Sequence, residues 1–308
     1  MSIARTALLW ISENRKLREA LPKYKFIRRA VSRFMPGERL EDAVRAAQRL
    51  KDQSIRTVFT HLGENVSDAA EARNVTAGYV EILKEIERAG LDTHVSVKLT
   101  HLGLDLDESL CIENLRTIVK EAKSRRTMIW IDMEQSAYVD RTLAMFRTIR
   151  RDYRDVGLCL QTYLFRTERD LNDLLAVAPA IRLVKGAYKE PVSIAYAKKA
   201  DVDANFFKLS RTLLAHASDG ARLIVGTHDM NLIRSIQDEA SRAGTPKDQF
   251  EFHLLYGIQQ QEQLRLVHEG HQVRVLISYG SYWFPWYMRR LAERPANVWF
   301  VLRKVFSS

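Results

Sequence analysis

Residues 181–191, which read I-R-L-V-K-G-A-Y-K-E-P, combine two basic side chains with a glycine break. The first half alternates apolar and basic residues as a strand does, and Gly186 then opens a stretch of small residues. Arg182 and Lys185 would face opposite sides of an ideal strand unless the chain already turns at Val184. Two cations near one buried strand end require an anionic partner. The segment therefore predicts either an ion-paired strand end or a site where a flat anionic ligand approaches the backbone.

Further polar side chains follow apolar, strand-like runs elsewhere in the chain. They are Lys98 after V-S-V, Asp132 and Glu134 in W-I-D-M-E, Gln161 in L-C-L-Q-T-Y, then Thr227, His228 and Asp229, and finally His253 in F-E-F-H-L-L-Y. Each has an ordinary structural explanation. Lys98 and Asp132 could form a buried ion pair, Asp229 could cap a helix, and a lone histidine could belong to the core. Together they predict a polar site, because enzymes with parallel barrels carry their chemistry at strand ends.

A different cluster lies near the C-terminus, where five aromatic residues fall between Tyr282 and Tyr287, just ahead of Arg289 and Arg290. Paired guanidinium groups beside aromatic rings form a dry receptor for carboxylate or phosphate, because the planar fork matches oxyanion geometry and stacks on rings. Glu293, one helical turn after Arg289, is expected to hold that arginine in position. The alternative is an exposed basic turn with an aromatic stripe in the core. The density of aromatic residues favours a pocket wall.

Apolar, β-branched runs recur along the chain with helical periodicity between them. The eight runs are residues 57–63, 94–100, 128–134, 157–163, 181–187, 222–227, 250–256 and 272–278, and helical periodicity is clear at 69–88 and 231–243. Eight βα units fit a closed (β/α)8 barrel better than a doubly wound sheet. No G-x-G-x-x-G turn follows the first run, which argues against a Rossmann site. We predict an α/β barrel in one structural domain.

The N-terminus is strongly basic. Residues 1–35 hold nine basic residues against two acidic ones, which leaves +7 of the chain's net charge of +10. Two helices separated by Met35-Pro36-Gly37 are predicted to open the chain. We predict residues 1–52 to be a helical arm packed on the barrel and residues 53–308 to be the catalytic domain. A solvated helical cap explains the arm better than contact with an anionic membrane surface or nucleic acid.

Composition predicts a soluble, cytoplasmic protein. No run approaches the roughly 18 apolar residues of a membrane span. The segment 7–11 is too short for a secretory signal. Cys111 and Cys159 form no C-x-x-C and fit no metal spacing, which is typical of a reducing compartment without structural metal. Peripheral contact with the inner membrane is a secondary expectation for the basic arm.

Five blocks, in order, resemble the proline dehydrogenase family, specifically its monofunctional bacterial type. They are V-S-V-K-L-T-x-L-G-L at 95–104, I-D-M-E at 131–134, R-L-V-K-G-A-Y-x-E-P at 182–191, T-H-D at 227–229 and R-R-L-A-E-R-P at 289–295. The resemblance runs from about Leu17 to the C-terminus. It implies a distorted (β/α)8 TIM barrel with non-covalent FAD that oxidises L-proline to 1-pyrroline-5-carboxylate, the first step of proline degradation.

The resemblance also implies roles at the matching positions. Asp132 and Arg182 would act in catalysis, with Asp132 paired to Lys98 and Arg182 beside the flavin nitrogen that accepts hydride. Lys98, Arg289 and Arg290 would bind the substrate carboxylate, and Tyr188 and Leu255 would wall the substrate. The residues that would contact FAD are Met133, Gln161, Arg182, Val184, Lys185, Gly186, Ala187, Thr227 and His228. The implied partners are a proline-like substrate, a quinone or other electron acceptor, and a pyrroline-5-carboxylate dehydrogenase.

The chain departs from the family pattern at four positions. The family's usual tyrosine at the end of the last strand falls on Leu276, and the tyrosine three residues before the first arginine is Trp286. A glutamine of the seventh strand is His253, and His101 follows K-L-T. Leu276 and Trp286 occupy substrate-pocket positions of the family. They leave proline and a ring-modified proline such as hydroxyproline as alternative substrates.

Two other classes of protein remain as alternatives. A barrel enzyme that forms a Schiff base would use Lys98 or Lys185 as its nucleophile. A nucleic-acid-binding protein would rest on the pI of about 9.6, but the excess charge lies in one terminal arm rather than around an aromatic platform. We therefore favour the FAD-dependent dehydrogenase and expect no nucleic-acid partner.

Overall fold

Eight parallel strands form a closed barrel, in which each strand pairs with the next in sequence and the last pairs with the first. The structure is a computed structural model that describes residues 31–293, with side chains as far as Leu291. The strands are β1 (Arg56–His61), β2 (Thr93–Val97), β3 (Ile129–Ile131), β4 (Val156–Gln161), β5 (Ala180–Val184), β6 (Arg222–Gly226), β7 (Phe250–Leu255) and β8 (Gln272–Tyr279). This arrangement confirms the predicted (β/α)8 barrel, and each predicted run overlaps one strand.

Helices connect the strands, and a further helix lies before the first strand and after the last. They are α1 (Leu40–Lys51), α2 (Ala69–Arg88), α3 (Glu108–Ser124), α4 (Val139–Asp152), α5 (Thr167–Asn172), α6 (Lys199–Ala215), α7 (Met230–Arg242), α8 (Gln260–His268) and α9 (Trp283–Glu293). Short 3-10 turns lie at Thr100–Leu102, Ser136–Tyr138 and Leu175–Val177. The predicted helix 69–88 has the bounds of α2, and the predicted helix 231–243 is α7 shifted by one residue.

Helix α2 shows how the sequence specifies these elements. Asp68 caps it by accepting a hydrogen bond of 2.8 Å from the backbone N–H of Glu71. Its buried side chains recur every three or four residues, among them Tyr79, Leu83 and Ile86, and form one stripe facing the barrel core. Burying each large apolar side chain contributes roughly 1.5–3 kcal/mol.

Trp130 on β3 fills the middle of the barrel interior. It is fully buried, and a Cβ on Gly157 of the neighbouring strand would lie only 2.3 Å from its ring. The indole N–H donates a 3.1 Å hydrogen bond to His94 Nδ1, and His253 packs edge-on with 5.3 Å between ring centroids. The Arg182 guanidinium lies over the Trp130 ring, 5.2 Å from its centroid. The large ring fits here because the neighbouring position on β4 is the glycine Gly157. Trp130 therefore forms the floor of the site beneath Arg182.

Buried charges lie toward the amino ends of the strands. Glu251 on β7 is completely buried, and its carboxylate lies 2.7 Å from Arg274 Nε and 3.1 Å from Arg222 Nη2. His253 Nε2 lies 3.8 Å from the same carboxylate, and burial lowers the pKa of His253 to about 4. The sequence placed His253 among the strand-end residues, and the structure corrects this. It lies within β7 and belongs to the floor, because its inward side chain packs on Trp130.

The start of the described chain packs on α9. Val31 and Met35 share a second apolar cluster with Leu62 and with α9 residues. Helix α1 buries Ala43 and Leu50 in the main core. The first predicted helix and most of the basic arm fall within residues 1–30, outside the described residues, and the boundary at residue 52 stays a prediction. Within residues 31–293, no helix has both the length and the apolar character needed to span a bilayer.

Candidate active site

Arg182 is held in one orientation by three neighbours. It lies on β5 with 3% of its surface exposed, and its Nη2 donates to Asp132 Oδ1 and, at 2.9 Å, to Ser96 Oγ. The Ser96 hydroxyl in turn donates to Asp132 Oδ1 at 2.8 Å. Together with Trp130 beneath, these contacts fix a buried positive charge inside the barrel.

Lys98 pairs with Glu64, so the predicted Lys98–Asp132 ion pair is wrong. Lys98 Nζ lies 3.8 Å from Glu64 Oε2, and Arg289 Nη1 donates to Glu64 Oε1 at 3.0 Å. The physical reason is that Arg182, reaching across the barrel, already neutralises Asp132. Lys98 and Arg289 therefore share one carboxylate, which shows that these two predicted carboxylate-binding cations lie together.

Tyr188 lies on the other side of Arg289. The Arg289 guanidinium lies over the Tyr188 ring at 5.6 Å from its centroid, and burial raises the pKa of Tyr188 well above its usual range. Arg290 follows on α9 and is half-buried. Trp286, one helical turn earlier, is 8% exposed and belongs to the second apolar cluster. Glu293, which was expected to hold Arg289, has its side chain outside the described residues, so that contact stays a prediction.

Lys185 belongs to a network of two lysines and two aspartates. Its Nζ lies 2.5 Å from Asp203 Oδ1 on α6 and 2.8 Å from Asp229 Oδ2, and Lys199 Nζ lies 2.7 Å from Asp229 Oδ2. Although burial opposes ionisation, hydrogen bonds from Lys185 and Lys199 hold the pKa of Asp229 well below its usual range. Asp229 also caps α7 through the N–H of Leu232 at 3.5 Å, as the sequence allowed. The network fixes the ends of β5 and β6 to α6.

Gly186 forms a close contact that no other residue type would permit. Its φ is +111°, and a Cβ here would lie 2.3 Å from the Tyr163 ring. The backbone around it is anchored to β4, since Thr162 N donates to Val184 O at 2.8 Å and Tyr163 N to Lys185 O at 3.0 Å. The backbone from Val184 through Ala187, predicted to contact FAD, therefore lies beside the end of β4.

Buried polar atoms near this glycine have no hydrogen-bond partner in the part of the chain that the structure describes. They are Gln161 Oε1, Thr162 Oγ1 and Arg182 Nη1. Gln161 Nε2 donates to the Met133 carbonyl at 3.1 Å, which fixes the amide so that its oxygen is the free acceptor. Buried polar groups normally find partners. A free donor and free acceptors beside the half-buried backbone of Gly186 fit a flat heteroaromatic ring with its own acceptors and donors, as a flavin has.

His228 joins the ends of β6 and β7. The backbone N–H of Leu255 donates to His228 Nε2 at 2.9 Å, so this nitrogen carries no proton. Thr227 Oγ1 accepts a hydrogen bond of 3.2 Å from the N–H of Asp229. Leu255 is paired in register with Leu276 on β8, so two predicted pocket residues lie side by side.

Glu134 has a structural contact that the sequence did not predict. It is 5% exposed and accepts hydrogen bonds from Thr100 N at 3.1 Å and from Thr100 Oγ1 at 2.6 Å. Burial raises the pKa of Glu134 to about 7, although Lys98 and the Thr100 hydrogen bonds oppose the rise. The carboxyl group holds the turn that directly follows Lys98.

His101 packs against the connection that carries Glu64. A Cβ on Gly63 would lie 2.1 Å from His101 Nε2, and the ring of His61 lies 5.6 Å away, centroid to centroid. Burial lowers the pKa of His101 to about 3, so the ring is neutral near pH 7. His101, one of the departures from the family pattern, therefore packs against the residue before Glu64 and supports the group formed by Lys98, Glu64 and Arg289.

Known proteins are similar to this chain over most of its length. The family model described as proline dehydrogenase matches residues 43–303. The chain belongs to the proline dehydrogenase family. It is 39% identical over 274 residues to proline dehydrogenase 2 of Bacillus subtilis subsp. natto, covering 89% of each chain. It is 36% identical over 304 residues to the proline dehydrogenase of Deinococcus radiodurans, covering 97% of this chain and 96% of that one.

Solved structures give the same fold. Proline utilization A from Bdellovibrio bacteriovorus, inactivated by N-propargylglycine, superposes with a TM-score of 0.80 at 20% identity, covering 93% of this chain and 38% of that chain. The D778Y mutant of proline utilization A from Bradyrhizobium japonicum gives a TM-score of 0.73 at 23% identity, with coverage of 89% and 32%. As a proline dehydrogenase family member, the chain is an oxidoreductase acting on a CH–NH donor, as predicted.

Proposed function

We propose that this family member oxidises L-proline to 1-pyrroline-5-carboxylate, the first step of proline degradation, with non-covalent FAD as its cofactor. One observation carries the proposal. Arg289 contacts both Glu64, shared with Lys98, and Tyr188, two residues beyond Gly186. A receptor for carboxylate therefore lies directly beside a site that fits a flat ring. A cyclic amino acid that is oxidised at a ring carbon needs both a receptor for its carboxylate and a flat cofactor ring beside the carbon that reacts.

The carboxylate of the substrate would bind to Lys98, Arg289 and Arg290. Guanidinium groups bind carboxylates in a bidentate manner, and the half-buried setting strengthens each contact relative to water. Tyr188, Leu255, Leu276 and Trp286 are proposed to contact the remainder of the substrate. Fixing the carboxylate sets the position of the ring carbon, so orientation supplies a large part of the rate enhancement.

FAD would be held by Met133, Gln161, Arg182, Val184, Lys185, Gly186, Ala187, Thr227 and His228. When bound, FAD supplies the acceptor for a hydride leaving the carbon next to the substrate nitrogen. Arg182 would place a fixed positive charge where negative charge develops, and Asp132 and Ser96 keep its guanidinium oriented. The free Arg182 Nη1 and Gln161 Oε1 are proposed to bond the ring.

The substrate nitrogen must be uncharged before the hydride leaves, because an ammonium has no lone pair to form the new C=N bond. Overall, the substrate loses one hydride from carbon and one proton from nitrogen, which gives the imine. Met133, which is buried, and Leu255, which is half-buried, would exclude water around the reacting carbon.

A ring-modified proline, such as hydroxyproline, is the second proposed substrate. Leu276 stands where the family usually has a tyrosine, and it lies beside Leu255 at the same level of the barrel. A leucine here removes a ring and a hydroxyl group from the pocket. The carboxylate and secondary amine of the substrate would be bound in the same way.

Schiff-base chemistry is less well supported. Lys98 pairs with Glu64, and Lys185 lies between Asp203 and Asp229. Carboxylate neighbours suit a charged lysine, whereas nucleophilic addition requires an uncharged amine. Both lysines are therefore proposed to act as cations.

We further propose that the electrons pass to a quinone or another acceptor and that the product passes to a separate pyrroline-5-carboxylate dehydrogenase. The cytoplasm, with peripheral contact at the inner membrane, is the proposed location. Both proline utilization A chains compared above are much longer than this chain, which covers 38% and 32% of them.

Cofactor and product identification test the proposal. The purified protein should release FAD on denaturation, and L-proline should be converted to a product lighter by two hydrogen atoms. Release of FMN or of no flavin, with reconstitution by FAD also failing, would exclude the cofactor assignment. A flavoprotein that converts hydroxyproline but not proline would favour the second substrate.

A further inference from the structure

The connection between β5 and α6 is tied down at both ends. We call residues 186–196 the strap. At its start, Tyr163 N donates to Lys185 O at 3.0 Å. At its end, Phe165 N donates to Ile194 O at 3.0 Å and Tyr196 N donates to Tyr163 O at 2.8 Å. Both ends of the strap are therefore bound to residues 163–165, and its middle lies between these anchors.

A single carboxylate fixes the middle of the strap. Glu190 Oε1 accepts a hydrogen bond of 2.8 Å from the backbone N–H of Ser136, and Glu190 Oε2 accepts one of 2.6 Å from Ser136 Oγ. Ser136 begins the 3-10 turn that follows β3. Pro191 comes next in the chain and disfavours a helical backbone at Glu190, which keeps this part extended.

Tyr188 lies between the first anchor and this carboxylate. Its ring is the surface on which the Arg289 guanidinium lies, at 5.6 Å from the centroid. The neighbouring Lys189 is exposed, so the strap has an inner and an outer side. A shift of Glu190 would move Tyr188, two residues away, and with it one side of Arg289.

We propose that Glu190 is a positioning residue: by binding Ser136 it fixes Tyr188 against Arg289 and thereby sets the affinity of the site for its substrate. The inference rests on the proposed function. The alternative is a purely structural role, in which Glu190 only satisfies the N–H group at the start of a helical turn. If Glu190 is a positioning residue, losing the contact loosens the strap and weakens substrate binding. If its role is purely structural, losing the contact leaves substrate binding unchanged.

The test compares Glu190→Ala and Ser136→Ala with Glu190→Gln, and uses Lys189→Ala as a control on the outer side of the same strap. Gln keeps an acceptor for Ser136 N and can donate to Ser136 Oγ. Two hydrogen bonds to a charged acceptor correspond to roughly a tenfold or greater change in affinity. We expect Glu190→Ala to raise KM for proline by that factor, with kcat and flavin content close to wild type, and Glu190→Gln and Lys189→Ala to change KM less than threefold.

Hydrogen–deuterium exchange gives a readout that does not depend on turnover. Glu190→Ala should speed exchange in residues 186–196 and leave α6 unchanged, and Ser136→Ala should produce part of the same effect. If the strap exchanges at the wild-type rate, or if KM is unchanged in a folded Glu190→Ala protein, the positioning role is wrong. A wild-type protein that does not oxidise proline, but whose strap loosens in the Glu190→Ala variant, would contradict the proposed substrate and not the role of the Glu190–Ser136 contact in holding the strap.

Discussion

The Ser96 hydroxyl bridges the Arg182–Asp132 ion pair, accepting from Arg182 Nη2 at 2.9 Å and donating to Asp132 Oδ1 at 2.8 Å. It is completely buried on β2, across the barrel from β5. The orientation of the guanidinium therefore depends on a neutral hydroxyl as well as on a charge. The orientation of Arg182 can therefore be disturbed in two ways, by removing the Ser96 hydroxyl or by removing the Asp132 charge.

Replacing Ser96 by Ala should lower kcat/KM by roughly ten- to a hundredfold, because a lost hydrogen bond to a charged group costs about 1.5–3 kcal/mol. Asp132→Asn should be more harmful, since it leaves a buried guanidinium uncompensated, a change worth about 3–5 kcal/mol. Steady-state kinetics and thermal unfolding would measure both. Equal effects of the two substitutions on Tm and on kcat/KM would show that the charge of Asp132 has no special role.

Gly186→Ala should destabilise the protein and reduce its flavin content. The new Cβ would lie 2.3 Å from the Tyr163 ring at a φ of +111°. Strain of this kind costs about 1–3 kcal/mol. Gly78→Ala is the matched control, because its Cβ would meet nothing within 4 Å on α2 and should stabilise the helix by about 1 kcal/mol. Normal stability and full flavin content in Gly186→Ala would show that the strand end has room to adjust.

Glu134 should make stability depend on pH in a defined window. Its pKa rises from 4.5 to about 7 in the folded state, so folding favours the protonated form. The associated stabilisation is fully present below pH 4.5 and is lost as the pH rises through about 7. Glu134→Gln resembles the protonated form and removes this dependence.

Chemical denaturation at several pH values would compare the two proteins. The free energy of unfolding of the wild type, relative to Glu134→Gln, should fall between pH 4.5 and about 7 by on the order of 3 kcal/mol, and stay level above. A relative free energy that rises over this range would mean that Glu134 is ionised readily inside the fold.

Leu276→Tyr should shift the choice between proline and hydroxyproline. The side chain lies beside Leu255 in register, and one altered pocket contact changes discrimination by about 1–3 kcal/mol. We expect the ratio of kcat/KM values, proline over hydroxyproline, to rise in the variant. A wild-type protein that already strongly prefers proline, with a variant that has the same preference, would mean that Leu276 does not determine substrate choice.

The barrel could be predicted because its signal is repeated. Each run of β-branched residues reports a strand, and eight such runs at regular spacing leave few topologies. Ser96 and Trp130 could also have been found, since each lies two residues before a predicted site residue, Lys98 and Asp132, and shares its face. The sequence identified the strand ends but not the inward side chains just below them.

The pairing of charges could not be predicted. Whether Asp132 meets Lys98 or Arg182 depends on the stagger between strands and on side-chain reach across the barrel, which periodicity does not encode. Glu64 lies on an irregular connection after β1, where no pattern marks it. The Glu190–Ser136 contact joins residues 54 positions apart and likewise follows only from the fold.

Anaerobic titration of the purified protein, followed by the visible absorbance of its bound flavin, tests the central claim most directly. L-Proline should bleach the flavin with a stoichiometry of about one, whereas pyrrolidine, which has the same amine but no carboxylate, should bleach it only at much higher concentration, because it offers no carboxylate to Lys98, Arg289 and Arg290. A flavin that stays oxidised with proline and its ring-modified analogues, or one that pyrrolidine reduces as readily as proline, would contradict the account.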